Sequence, residues 1–154
     1  MTNIMTVYFR SLLTFATALW LSGCSITHPL DTDQATLTPC PSTPNCASTE
    51  ADNIVHRIEP FILAAPAEQA WPQIVKTVSD MPRTTVNTER PGYLYAKSYS
   101  KIFHFVDYLE VLSVPEENRL AVRSSSMLGI SDLGVNAKRT ETLRKALQEK
   151  GIIE

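Results

Sequence analysis

The side chains best equipped for chemistry lie in the last third of the chain: Asp107, Glu110, Arg123, Asp132 and Arg139, interspersed with Ser124, Ser126 and Asn136. Carboxylates move protons and arginines hold anions in a planar fork, so the five charged residues are the set that a hydrolase-like enzyme would draw on. The two serines and Asn136 add neutral donors and acceptors around them. The usual companions of such chemistry are missing from the sequence: it has no nucleophile elbow, phosphate loop, metal-ligand quartet or Cys–His pair. A non-catalytic binding or interaction module is therefore the main expectation, with the enzyme as the alternative and no cofactor or metal implied. The competing reading of Glu110 and Arg123 is an ordinary ion pair across a sheet, worth about 0.2–1 kcal/mol.

These residues need a frame. Val106 to Val114 and Arg119 to Ser124 read as strands joined by the four-residue loop Pro115-Glu116-Glu117-Asn118. Pairing Val114 with Arg119 sets Leu112 opposite Ala121 and Glu110 opposite Arg123 on one face. Leu109, Val111, Leu120 and Val122 then make the other. Upstream, Ile58 to Leu63 is a short apolar run suited to a strand, and Thr84 to Thr88 and Tyr93 to Tyr99 form a hairpin about Arg90-Pro91-Gly92. Ala67, Ala70, Trp71, Ile74, Val75 and Val78 recur at helical spacing; Pro72 either kinks this helix or opens its regular part. Gly129 to Asn136 is too polar and glycine-punctuated for a strand, and Ser131 or Asp132 is a candidate cap for the last helix. That helix sets Leu133, Asn136, Thr140, Leu143 and Leu147 on one stripe, with Asn136 and Arg139 together on its first turns and Gly151 as its stop. The order β-α-β-β-β-β-α predicts an α+β domain in which an antiparallel sheet of about five strands carries two helices on one face.

The cysteines bear on address. Residues 1–10 end in Arg10, Ser11 to Leu21 form an uncharged apolar stretch, and Leu21-Ser22-Gly23-Cys24 resembles the bacterial lipobox. Residues 1–23 then read as a lipoprotein signal peptide, too short for the roughly 20 residues needed to span a bilayer. The Cys24 thiol is the nucleophile that takes the lipid; two or three acyl chains, at about 0.8 kcal/mol per buried CH₂, hold a protein stably. The expected address is the bacterial cell envelope, membrane-bound through this anchor. In a Gram-negative host, Ser25 rather than Asp after the cysteine points to the outer membrane, facing the periplasm. Residues 24–39 read as lipidated cysteine and flexible tether, rich in Thr, Asp and Pro, and residues 40–154 as a single domain. Cys40 and Cys46, in CPSTPNC, are the remaining thiols. A disulfide is the natural reading in an exported protein, with free thiols and metal binding as the alternatives, the last lacking further ligands at zinc spacing.

Composition narrows the function classes. An apolar fraction of 44% with 19% charged residues belongs to a chain with a real core rather than a disordered one. Arg10 is the only charge in the leader, so removing it from the 14 Lys+Arg leaves 13 against 16 Asp+Glu, a net charge of −3. Nucleic acid is excluded as a partner on this balance, since phosphate binding needs a basic patch, and docking on anionic lipid by net charge is disfavoured.

Four segments, CPSTPNC at 40–46, the helix around Trp71, FVDYLE at 105–110 and RSSSMLGISDLGVNAKR at 123–139, resemble the DUF1499 family, over roughly residues 40–148. The long RS…SDLGVN…R motif is the most specific of them. Two positions depart from the family pattern: an acidic residue is usual where Tyr108 stands and an arginine where Met127 stands. The resemblance implies a fold and a family, not an activity, because members occur in bacterial envelopes and plant plastids without an agreed biochemical role. The partners to expect are the membrane, through the anchor, and either a small apolar or amphiphilic ligand or an envelope protein. Tyr93, Tyr95, Tyr99, Phe103 and Phe105 are candidates for lining a ligand cleft, or for plain core and sheet surface.

Overall fold

The computed structural model describes residues 36–154; the expected signal peptide, Cys24 and the tether to residue 35 lie outside the described residues. Six antiparallel strands and two helices follow one another as β1 (Cys46–Ser48), β2 (Phe61–Ile62), α1 (Ala67–Ser79), β3 (Thr84–Arg90), β4 (Tyr93–Tyr99), β5 (Val106–Val114), β6 (Arg119–Ser126) and α2 (Val135–Glu149). The sheet order is β1-β6-β5-β4-β3, and β2 shares the outer edge of β6 with β1. The α+β class and the order of the main elements agree with the sequence pattern. The extra strand is β1: it directly follows the disulfide loop and is too short to show periodicity.

Burial explains why each strand reads as it does. β3 is an edge strand and alternates polar and half-buried residues, with its register broken by a bulge between Val86 and Thr88. β5 and β6 are covered on both faces, which is why VDYLEVLSV and RLAVRSSS lack a clean polar side. The turn Pro91-Gly92 closes the first hairpin with Arg90 opposite Tyr93, and Gly92 holds φ of 75°, a left-handed conformation that a glycine adopts without strain. The second hairpin closes on Val114 and Arg119, so Leu112 faces Ala121 and Glu110 faces Arg123 as the pattern predicts.

The main core lies between the sheet and the helices. Leu94, Ala96, Leu109, Val111, Leu120 and Val122 meet Ala67, Ala70, Trp71, Ile74 and Val78 of α1 and Leu143 and Leu147 of α2. Ile152 and Ile153, beyond the stop at Gly151, close it, with Ile153 bridging Leu63. A second cluster, on the far face of the sheet, joins Tyr93, Tyr95, Leu112 and Ala121 to Leu37. Leu37, three residues before Cys40 and 6% exposed, packs against the tyrosines of this cluster.

Two expectations are corrected. α1 begins at Ala67, five residues before Pro72, so its regular part does not start at the proline; the packing of Ala67, Ala70 and Trp71 carries the helix through. Leu133 does not belong to the α2 stripe: it precedes the helix and is 95% exposed, whereas Asn136, Thr140, Leu143 and Leu147 are buried. The Cys40–Cys46 disulfide is formed, with Cα atoms 5.8 Å apart. Its short loop removes less unfolded-state entropy than the roughly 3 kcal/mol of a 15-residue loop.

Leu109 is fully buried on the central strand pair, beneath both helices. Leu109→Ala is expected to lower stability by about 2–5 kcal/mol in urea denaturation with an unchanged slope.

Candidate functional site

The pleat of β5 and β6 divides the eight candidate residues between the two faces of the sheet. Asp107, Ser124 and Ser126 point to the helices, where Asn136 and Arg139 of α2 meet them and Asp132 stands just before the helix. Glu110 and Arg123 point to the opposite face.

On the helix face the polar groups form a closed network. Arg139 Nη2 donates to Asp107 Oδ2, and Nη1 donates to Ser124 Oγ at 2.9 Å and to Asn136 Oδ1 at 2.6 Å. Asn136 Nδ2 donates to the Asn45 carbonyl at 2.9 Å and to Ser126 Oγ at 3.0 Å. Asn45 in turn donates to the Gly129 carbonyl at 2.8 Å. Asp132 accepts from the amides of Gly134 and Asn136, satisfying two otherwise orphaned donors at the start of α2. One buried asparagine and one arginine thus tie the disulfide loop, β5, β6 and α2 together. Ser124 Oγ donates to Asn136 Oδ1 at 2.7 Å and no histidine stands beside it, so nothing here activates it as a nucleophile.

On the other face Glu110 is fully buried, and its Oε2 accepts from Arg123 Nη1 at 2.6 Å while Oε1 accepts from the Tyr93 hydroxyl at 3.2 Å. The Arg90 guanidinium lies 5.0 Å over the Tyr93 ring, and Tyr95 and Tyr108 pack at 5.5 Å between centroids. Burial pushes the Tyr93 hydroxyl well above the usual phenol range, and the Glu110 charge adds to it; burial does the same to Tyr95. Both phenols stay protonated, as donors, throughout the physiological range. The five residues of the hydrolase reading do not surround a common space: a sheet separates Asp107, Asp132 and Arg139 from Glu110 and Arg123.

A third arrangement was not singled out by sequence reasoning. At the end of the sheet that carries the Pro91-Gly92 turn and the Pro115–Asn118 loop, a groove of about 1050 Å³ opens against the start of α1. It is lined by Trp71, Pro72 and Leu112 and by the charged residues Glu68, Glu89, Arg90 and Glu116. Trp71 Nε1 and Ser113 Oγ are both buried and have no hydrogen-bond partner among the described residues. Pro72 has no amide to give the Glu68 carbonyl four residues earlier, and both residues line the groove. The signal in the sequence was the proline inside a helical repeat next to a tryptophan, which reads equally well as a kink. Of the aromatic candidates none lines this groove: Tyr93 and Tyr95 are buried in the second cluster, while Tyr99, Phe103 and Phe105 are exposed at the other end of the sheet.

The model of the family described as protein of unknown function, DUF1499, matches residues 36–147 of the chain. No curated protein and no solved structure matches it.

Removing one member of a buried ion pair leaves a charge in low dielectric, whereas removing both does not. Glu110→Leu is expected to destabilise the fold by about 3–5 kcal/mol, and its combination with Arg123→Met to recover most of that loss, with Arg123→Met alone closing the double-mutant cycle. Single losses that simply add in the double variant would mean that the two residues do not act as a pair.

Proposed function

The chain belongs to the DUF1499 family, and on that premise we propose that it is a lipid-anchored envelope protein whose domain binds a small amphiphile in the groove beside Trp71. The observation that carries this reading is the pair of buried polar atoms without partners among the described residues, Trp71 Nε1 and Ser113 Oγ, of two residues that line the groove. A buried donor without a partner costs about 1–3 kcal/mol, and a ligand oxygen that satisfies it recovers that energy on binding. The volume of about 1050 Å³ is at the upper end of small-molecule sites. Trp71, Leu112 and the prolines suit a hydrocarbon body. Three glutamates against one arginine, Arg90, in the lining disfavour a purely anionic head and favour a zwitterionic or neutral one. A lysophospholipid with an ammonium group has these properties: an acyl chain for the floor, ester and phosphate oxygens for the two donors, and a cation for the glutamates.

The lipobox at Leu21 to Cys24 supports the anchor, and the disulfide between the two other cysteines agrees with an oxidising compartment. Partner recognition on this reading concerns lipid-like molecules of the envelope. The residues of the Asp107–Arg139 network serve the framework of the domain, since their hydrogen bonds are directed at one another.

Two measurements test this. Titration of the purified protein with lysophosphatidylethanolamine is expected to give saturable binding that Trp71→Phe weakens about five- to tenfold, the value of one hydrogen bond. Glu68→Lys with Glu116→Lys, at two exposed positions, is expected to shift preference to lysophosphatidylglycerol. Affinity unchanged in both variants, or no binding, overturns the groove. Separately, Cys24→Ser is expected to abolish incorporation of labelled fatty acid and retention in the membrane fraction; an unchanged membrane fraction overturns the anchor.

A further inference from the structure

The end of the sheet opposite the groove carries an apolar rim. The β4–β5 loop exposes Ile102, Phe103 and Phe105, and the β6–α2 connection exposes Leu128, Ile130 and Leu133. Their exposures run from 62% for Phe105 to 95% for Leu133. The loops form one surface, because the Met127 amide donates to the Val106 carbonyl at 3.0 Å where they meet the sheet. The rim is also held in shape. The Phe103 and Phe105 rings stack at 5.5 Å, Ser100 Oγ accepts from the Phe105 amide, and Asn45 Nδ2 of the disulfide loop donates to the Gly129 carbonyl. A surface with this many large apolar side chains at one end marks an interaction site.

Charge identifies the occupant. The carboxylates at this end are engaged: Asp107 with Arg139, Asp80 with Lys76, and Asp132 with the amides of Gly134 and Asn136. Arg83, Lys101 and Lys138 are exposed there, whereas at the groove end Glu68, Glu89 and Glu116 outnumber Arg90. The net charge of the chain therefore hides a polarity, basic and apolar at one end, acidic at the other. Basic residues among exposed aromatic and aliphatic ones are the composition that enters the headgroup layer of a bilayer.

The length of chain between Cys24 and the described structure permits the same end to face the membrane. Cys24 precedes Leu37 by 13 residues, at most about 45 Å of extended backbone; Leu37 packs with Tyr93, Leu112 and Ala121 towards the groove end, and the roughly 23 Å from there to the rim lies within that reach. We infer that the loops at residues 101–105 and 128–133 rest in the interfacial layer of the bilayer that holds the anchor. The groove, on strands that run roughly 23 Å between Val106 and Ser113, then faces away from it. This rests on the lipid-anchor reading and extends it from attachment to orientation.

The test uses the full lipidated chain in vesicles of phosphatidylethanolamine and phosphatidylglycerol. With Cys40 and Cys46 paired and Cys24 acylated, a single introduced thiol, from Ser131→Cys or Glu116→Cys, carries an environment-sensitive fluorophore. Nitroxide-bearing lipid is expected to quench position 131 several-fold more than position 116. The exposed triple change Phe103→Ser, Phe105→Ser and Ile130→Ser should remove that difference while leaving thermal unfolding unchanged. Equal, weak quenching at both positions in an acylated chain overturns the orientation and leaves the anchor intact. Position 131 shielded in native envelopes but unquenched in pure lipid vesicles also overturns it, in favour of a protein partner. A chain that mass spectrometry finds without lipid on Cys24, yet quenched at 131, overturns the anchor alone.

Discussion

A slip of one residue in the pairing of β5 with β6 would turn every side chain of one strand to the other face of the sheet. Here the register carries charge as well as apolar groups. With Glu110 opposite Arg123 and Asp107 opposite Ser126, each face of the same two strands receives a carboxylate and, within reach, an arginine. A slipped pairing would leave buried carboxylates on both faces without partners, a penalty far larger than the value of any single surface ion pair. The hairpin that closes on Val114 and Arg119 is thus pinned by polarity from both sides, and the other elements assemble on it: α2 through Asn136 and Arg139, the disulfide loop through Asn45, the N-terminal segment through Leu37.

This accounts for the polar richness of the family motif without recourse to catalysis. RSSS ends β6, SDLG prepares the start of α2, and NAKR returns two side chains to the strand that the motif left. The connection between strand and helix is long and polar because its residues satisfy one another's backbone and side-chain groups. Its apolar members Leu128, Ile130 and Leu133 have no place in that scheme and point outward.

The domain consequently has two unlike ends. Where the hairpin turns meet α1, prolines and a tryptophan leave space and polar atoms without partners among the described residues; where the long connections cross, apolar side chains are offered outward beside lysines. A long antiparallel strand pair keeps these ends apart and rigidly related, which a loop-built site would not.

Much of the framework was legible in the sequence because it depends on local pattern. The helical spacing from Ala67 to Val78, the alternation in Tyr93–Tyr99, the four-residue loop after Val114 and the cysteine pair each follow from periodicity, turn chemistry or compartment. The Glu110–Arg123 pairing follows from counting along one hairpin. The proposed address also rests on the sequence alone, in the residues around Cys24. What only the tertiary structure decided depends on groups distant in the chain. Strand parity split the charged residues between two faces, and packing against tyrosines drew Leu37 into the fold. Three separate segments enclose the groove, leaving Trp71 Nε1 and Ser113 Oγ without partners among the described residues. Periodicity reports which side of its own element a residue occupies; whether a polar atom there finds a partner is set by what other elements bring to it.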